Sequence, residues 1–436
     1  MKFDKILLLG LGRANLPVAK YLIEKNTELY LFEENIDKLS PAAAQLIHSA
    51  GIKAYEARKY DLVITSPGFP VDKPIMNEVL AHKNTVVDEI EFTFDQLKRP
   101  SVIAVTGTNG KSTTVALIND ILTANNIDHF IGGNIAPGRP FSEALFLPHC
   151  DHYVLEVSSF QLMRIINFKP YIGLITNITI DHLNWHHDFT EYRQAKLRIF
   201  KNQDQNDYAV LNKADPELKK LSGNLPAKTI LFGYDASDGS WLNGDFHYGN
   251  QKLFSKERVK IAGQHNHLNI MAAIAVAKIL KLEDRKIENA VTNFTTLPHR
   301  LEEVAIKKGV RFINNSMCTN EAAAIESFKT FVSPKIVIVG GKEKGNAGVN
   351  YLELLVHEAK SCVILGDNAG FIEGVFKKYN YTKYQTANNM REAVRIAQEA
   401  AQPGDIVILN PGYASFDYFT NFEDRGEAFR RAVNET

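Results

Sequence analysis

Three cysteines in 436 residues, with no C-x-x-C spacing among them, supply neither a disulfide framework nor a zinc site. Cys150, Cys318 and Cys362 therefore read as reduced thiols of a cytoplasmic protein. An excess of charge of one sign is lacking too. Fifty Lys and Arg balance fifty Asp and Glu, which removes the electrostatic case for nucleic acid or an anionic membrane surface. No apolar run approaches the roughly 18 residues of a membrane span. The opening MKFDKILLLGLG passes straight into a folded pattern, unlike a signal peptide. Low complexity and short-period repeats are likewise missing. What remains is 45% apolar and 23% charged residues, the profile of a soluble globular chain. Its length calls for about two to four domains.

Three segments alternate short strands with helices, as parallel α/β units do. The first, residues 1–98, opens with KILLLGLG, NLPVAKYLIEK, ELYLFEE and YDLVITSPG. The second, 99–296, contains HYVLEVSS, YIGLITNIT and DYAVLN. It then has a turn-rich stretch expected to be antiparallel, and the helix NHLNIMAAIAVAKILKL. The third, 297–436, has strands KIVIVGG, SCVILGD and DIVILNPG with helices between them, and a surface loop at Gly345–Gly348.

The strongest chemical signal is SVIAVTGTNGKSTT at 101–114. A strand running into Gly107-Thr108-Asn109-Gly110 aims backbone N–H groups at one point, where a helix begins and its dipole favours an anion. Lys111 adds a mobile positive charge for phosphate oxygens, and Ser112 or Thr113 offers a hydroxyl to magnesium. The common G-x-x-x-x-G-K-[ST] pattern would need glycine where this chain has Val105, so the loop is a shorter variant. Glu156 ends the strand HYVLEVSS, just before Ser158, and a carboxylate there suits magnesium beside bound phosphates. Asp181 and His182 are read as closing another strand. His182, His186 and His187 show no third partner for zinc. Lys196 lies on the helix EYRQAKLRIF and by itself reads as a solvated lysine.

Elsewhere the signals are weaker. Gly10-Leu11-Gly12 invites a dinucleotide fingerprint, but Asn15 stands at its third glycine, leaving a diphosphate cradle or a plain turn. Glu33 ends the second strand, where such folds contact a ribose or base. Asn266 and Asn269, three apart at a helix start after Gly263-Gln264-His265, can turn their amides to one ligand. Arg300, after Pro298-His299 at the seam to the third segment, suits a phosphate or an interdomain salt bridge. Ser316, Thr319, Lys344, Ser415 and Phe422 stand near strand ends or turns.

Together GTNGKST (107–113), EVSSFQL (156–162), NITIDHL (177–183), YRQAKLRIF (192–200), GQHNHLN (263–269), LPHRLE (297–302) and NPGYASFDYFTNFEDRG (410–426) resemble the ATP-dependent Mur ligases over essentially the whole chain. The resemblance implies three α/β domains: a Rossmann-like UDP-sugar domain, a central ATPase-type parallel sheet and a Rossmann-like amino-acid domain. It implies an amide ligase of peptidoglycan precursor synthesis, working through an acyl phosphate, with ATP and two Mg2+ ions. UDP-N-acetylmuramoyl-L-alanine and D-glutamate are the implied substrates, and the enzyme is expected to be a cytoplasmic monomer without nucleic-acid or membrane partners. Lys111 would hold ATP phosphates, Ser112 and Glu156 the first magnesium, and His182 with a carbamylated Lys196 the second. Asn266 would meet adenine and Arg300 the ATP phosphates. Gly12, Arg13, Ala14, Asn15, Glu33, Ser66, Pro67 and Gly68 would hold the UDP group, with Asn134 and Ser158 on the muramoyl-peptide side. Thr319, Lys344, Ser415 and Phe422 would take glutamate.

Two departures stand out. Where such ligases read N-D-S-K-A-T-N, this chain has Asn314-Asn315-Ser316-Met317-Cys318-Thr319-Asn320, losing one charge of each sign near the meeting of ATP and amino acid. Arg13 and Ala14 replace a leucine and a threonine, so Arg13 could add a diphosphate contact. The alternatives are a related ligase for another amino acid such as L-glutamate or another carboxylate, and a non-catalytic ATP-binding homologue. A folylpolyglutamate synthase fits the N-terminal segment poorly, and a nicotinamide dehydrogenase fits the phosphate loop poorly.

Overall fold

The computed structural model describes residues 3–36, 39–67, 69–70, 73–135, 138–181, 185–235, 239–261, 263–295, 297–343 and 348–436. Among these residues the chain builds three mostly parallel sheets. It divides into two compact units, one of residues 1–258 with 268–292 and one of residues 259–267 with 293–436.

The first unit holds two sheets. In the first, β1 (Lys5–Leu9) is central, flanked by β2 (Glu28–Phe32) with β3 (Lys53–Ala54) beyond it, and by β4 (Leu62–Thr65) with β5 (Val86–Asp88) beyond it, all parallel. The chain leaves β1 towards one edge and returns to the other. The loops after β1 and β4 therefore part and leave a crevice at the strands' carboxyl ends.

The second sheet is built on β6 (Val102–Thr106), whose five residues are all buried, as a parallel strand covered by helices on both faces requires. On one side of β6 stand β8 (His152–Glu156) and β7 (His129–Gly133). On the other are β9 (Ile172–Ile175), β10 (Tyr208–Asn212) and β11 (Lys228–Gly233). The turn-rich stretch is the expected antiparallel excursion, formed by β12 (Ser240–Asn243), β13 (Asp245–Tyr248) and β14 (Gln251–Ser255). One expectation needs correction. The strand before Asp181 stops at Ile175; Thr176 still bonds Thr106 of β6, and Thr176, Asn177 and Thr179 all bond to the phosphate loop.

Within this unit the helix Glu89–Gln96 ties the two sheets. Glu91, buried, accepts the backbone N–H groups of Ile166, Asn167 and Phe168 at 2.9, 2.6 and 2.9 Å. Glu89 accepts the N–H of Ser142, whose hydroxyl donates to the Ala14 carbonyl at 2.8 Å. Arg164 reaches back to Thr65 Oγ1 at 2.9 Å and the Phe69 carbonyl at 2.7 Å.

The second unit carries β15 (Glu302–Lys307), antiparallel to β16 (Val310–Asn314), and then β20 (Ile406–Leu409), β17 (Lys335–Val339), β18 (Ser361–Ile364) and β19 (Tyr384–Thr386) in parallel. Gly340 and Gly341 end β17 with φ of +125° and +150°; a side chain at Gly340 would press on the Leu365 carbonyl. Of the loop expected at Gly345–Gly348, residues 345–347 lie outside the described residues, and Gly348 begins the helix Val349–Glu358.

Burial, reinforced by neighbouring Asp88, raises Glu89 from 4.5 to about 8. The folded state thus keeps a proton that the unfolded state releases, so stability falls as pH rises between those two values. Glu89→Gln, which keeps the acceptor for Ser142, should lose that dependence. Its melting temperature should gain on the parent protein from pH 5 to pH 8, and parallel melting curves across that range would refute the buried proton.

Candidate active site

The loop after β6 is shaped by its glycines. Gly107 has φ +145° and Gly110 φ +84°, backbone that side chains rarely adopt. A β-carbon on Gly107 would run into Thr176 Oγ1, and one on Gly110 into Asn269 Oδ1. Gly110 starts the helix Lys111–Ala124. Asn177 grips the loop from the neighbouring strand's extension, its Oδ1 accepting Asn109 N at 3.0 Å and its Nδ2 donating to Asn109 O at 3.0 Å. Thr108 N bonds Asn177 O at 2.9 Å, and Thr108 Oγ1 lies 3.0 Å from the Tyr192 hydroxyl. Asn177 and Tyr192 were not singled out from sequence, though both stand inside quoted motifs. Lys111, half-buried, folds back with its Nζ 2.8 Å from the Thr108 carbonyl.

β8 pairs in parallel with β6, so Glu156 comes level with Val105. Ser112 Oγ donates to Glu156 Oε2 at 2.6 Å, and Asn134 Nδ2 approaches Glu156 Oε1 at 3.4 Å. Ser112 and Glu156 are 2% and 3% exposed. A helix-start hydroxyl and a strand-end carboxylate facing one another are hard oxygen donors, the chemistry that suits Mg2+. Ser158 caps the next helix with a capping box to Gln161 and is half-buried.

Lys196 overturns its reading as a solvated lysine. It is 2% exposed, its Nζ donates to the Gly107 carbonyl at 2.7 Å, and it lies 4.6 Å from the Tyr192 ring centre. Burial first, and then repulsion from Lys111, push its ammonium well below the ordinary lysine range, against Asp181 and Glu156. Helical spacing alone did not expose this, because the face that buries Lys196 is decided by the loop it meets. His182 lies outside the described residues, as do Gly68 and Lys344. Among the described residues no group of three or more His, Cys, Asp or Glu is placed to hold a metal ion.

At the crevice of the first sheet, Asn15 needs reassignment. It is fully buried, with Nδ2 donating to the Gly10 carbonyl at 2.9 Å, so its side chain holds the turn and does not face a ligand. Glu33 Oε2 accepts Leu11 N at 3.0 Å and Ser66 Oγ donates to Gly10 O at 3.1 Å, so both also brace this turn. Gly12 and Arg13 are exposed, Ala14 and Pro67 half-buried. Gly12 and Arg13 border a cleft of about 770 Å³ that continues past Lys20 to Phe146.

Asn269 is buried beside Gly110 and accepts Thr114 Oγ1 at 3.3 Å. Asn266, also buried, belongs to the second compact unit, although both asparagines stand on the helix Gln264–Ile279. In that second unit the Arg300 guanidinium meets Met317 Sδ at 3.1 and 3.4 Å. A lysine at 317 would set a second cation there. Arg425, missed from sequence, is 2% exposed and holds Ser316 O at 2.8 Å and Tyr413 O at 3.0 Å, joining two loops; burial lowers it to about 10. Ser415 is buried, Thr319 half-buried, and Phe422 sets its ring edge-on to His299.

A glycine loop between parallel strand and helix, with a lysine, a serine and a strand-end carboxylate, defines a phosphate-loop α/β protein. The family model of the Mur ligase middle domain matches residues 105–277. The chain is 34% identical to UDP-N-acetylmuramoylalanine--D-glutamate ligase of Pelotomaculum thermopropionicum, over 98% of this chain and 97% of that protein. It is 33% identical to the Clostridioides difficile enzyme of the same name, over 100% and 99%. The chain belongs to the Mur ligase family. In fold it is similar to a pseudomurein peptide ligase type C from Methanothermus fervidus, with 20% identity, TM-score 0.62 and 99% of each chain covered. It is also similar to a MurF ligase from Thermotoga maritima in complex with ADP, with 17% identity, TM-score 0.61, and 94% and 98% covered.

Asn315, one of the departures, sits in a closed network. Its Oδ1 accepts Leu301 N at 3.1 Å and its Nδ2 donates to Asn410 Oδ1 at 2.8 Å, while Asn410 Nδ2 donates to Ala324 O and Tyr351 Oη at 2.9 Å. An aspartate at 315 would face the Asn410 oxygen with another acceptor. Asn315→Asp should therefore lower the unfolding midpoint, at a cost of about 1–3 kcal/mol. An unchanged denaturation midpoint would contradict the network.

Proposed function

We propose that this chain is the ATP-dependent ligase that adds D-glutamate to UDP-N-acetylmuramoyl-L-alanine in peptidoglycan precursor synthesis. The observation that carries the reading is the burial of Ser112, Glu156 and Lys196 against one phosphate loop, in a chain about one third identical from end to end to ligases of that name. We assign the UDP-sugar to residues 1–98, ATP to 99–296 and the amino acid to 297–436, in a cytoplasmic monomer.

Lys111 and the loop N–H groups of 107–113 other than those of Thr108 and Asn109, which Asn177 holds, would take the phosphates, with Asn266 and Asn269 assigned to the nucleoside side and Arg300 to the phosphate side. Ser112 and Glu156 would hold one Mg2+, and His182 with Lys196 a second. Such ions supply positive charge where a carboxylate must approach a phosphoryl group. The substrate carboxylate oxygen bonds to the γ-phosphorus as the bond to ADP breaks. The glutamate amine then bonds to the carbonyl carbon, a proton is lost and phosphate leaves.

Lys196 must lose its positive charge to serve there. An amine held below the ordinary lysine range is neutral often enough to bond its nitrogen to the carbon of CO2 and shed a proton, giving a carbamate. Burial of that amine supports the step. Arg13 and the backbone of Gly12–Ala14, with Glu33 and Ser66–Gly68, would hold the UDP group. Asn134 and Ser158 would hold the muramoyl-peptide, and Thr319, Lys344, Ser415 and Phe422 would take glutamate.

Phosphate release from ATP with UDP-N-acetylmuramoyl-L-alanine should depend on D-glutamate. Release driven by L-glutamate would replace this reading with its nearest alternative, and release independent of any amino acid would sink the ligase altogether. Lys196→Ala should abolish turnover and recover part of it with short carboxylates. Full activity without them would count against the carbamate.

A further inference from the structure

The loop before Lys196's helix carries a group that the reaction as described does not use. His186 is 1% exposed and lies between two elements of the first unit. Its Nε2 is 2.9 Å from Ser159 Oγ, at the start of the helix Ser159–Met163, directly after Ser158. Its Nδ1 is 3.6 Å from Glu191 Oε2, in the first turn of the helix Phe189–Leu197. The ring stacks on Phe160 at 5.6 Å and 20°, and meets Trp185 and Tyr192 edge-on at 4.7 and 5.3 Å. Tyr192 in turn touches Thr108 of the phosphate loop and underlies Lys196.

A serine, a histidine and a glutamate in series also make the nucleophile relay of hydrolases. Here Ser159 is 2% exposed beneath an aromatic cluster, so its hydroxyl has no approach for a substrate. The relay is instead a brace. Ser159 is covalently next to Ser158, assigned above to the muramoyl-peptide, and Glu191 and Tyr192 are on the helix of Lys196. Moving the imidazole would shift both by the fraction of an ångström to which catalysis is sensitive.

We propose that His186 is a positioning residue that locks the helix Ser159–Met163 to the helix Phe189–Leu197 through Ser159, Glu191 and Tyr192, and so sets Ser158 and Lys196 in register. The proposal rests on the ligase reading above. Burial holds the imidazole below its usual range, which favours a neutral ring bonded to Ser159 at Nε2, with the Glu191 carboxylate facing Nδ1 at 3.6 Å beyond hydrogen-bond reach.

His186→Phe keeps the ring packing and removes both nitrogen contacts; His186→Gln keeps one polar partner for Ser159; Ser159→Ala removes the other end. In full-length protein, His186→Phe and Ser159→Ala should each lower kcat about tenfold with the KM for ATP within about twofold. The double variant should be no worse than the poorer single one, because one contact is lost in all three. His186→Gln should recover most of kcat. Hydrogen exchange should rise in His186→Phe at both 158–163 and 189–197 while the helix 111–124 stays protected. Parental kcat in a folded His186→Phe, multiplying effects in the double variant, or unchanged exchange in the two segments would each overturn the brace. Failure of the parent protein itself to release phosphate with D-glutamate would strike the ligase reading alone, since the exchange result stands without turnover.

Discussion

Close approach of backbone to side chain at Gly107 and Gly110 is the constraint on which the rest of the site depends. Both glycines adopt φ values that other residues resist, and the space a β-carbon would need is filled by Thr176 and Asn269. In that packing Asn177 holds the Thr108 and Asn109 amides, and the Gly107 carbonyl receives the Lys196 amine. Parallel pairing of β6 with β8 then brings Glu156 to Ser112. One strand–loop–helix junction thus orders a carboxylate from one neighbouring strand, the polar extension of another and an amine from a distant helix.

Buried charges in the molecule fall into two kinds, and the difference separates framework from chemistry. Glu91 receives three backbone N–H groups and Arg425 two backbone carbonyls, so each is compensated where it lies. Lys196 has one carbonyl and an aromatic face, and its burial and the charge of Lys111 outweigh the attraction of Asp181 and Glu156. A cation so poorly compensated tends to shed its proton, which prepares it for covalent modification. Asp88 and Glu89 shift in the opposite sense: burial raises both acids, and Arg164 offsets it only in part at Asp88.

Departures from the family pattern acquire a physical meaning in the second unit. Asn315 and Met317 remove one charge of each sign, and each is accommodated locally. The amide at 315 supplies a proton to Asn410, which an aspartate cannot, and the thioether at 317 accepts the Arg300 guanidinium without adding a cation. The pair reads as a consistent neutral arrangement rather than a damaged ionic one.

The sequence by itself determined the parallel α/β class, the phosphate loop and the carboxylate at the end of β8, because strand periodicity and glycine chemistry are local. The order of motifs along the chain was likewise enough to name the family. Tertiary structure decided which polar side chains face inward. Asn15 turned from ligand contact to turn support, and Lys196, a solvated helix residue by spacing alone though a metal ligand by resemblance, proved a buried amine. Asp181 moved beyond its strand, and His186, Asn177 and Arg425 emerged as ties between segments far apart in sequence. Burial and hydrogen-bond partners come from elements brought together only by folding, and no spacing along a single helix or strand encodes them.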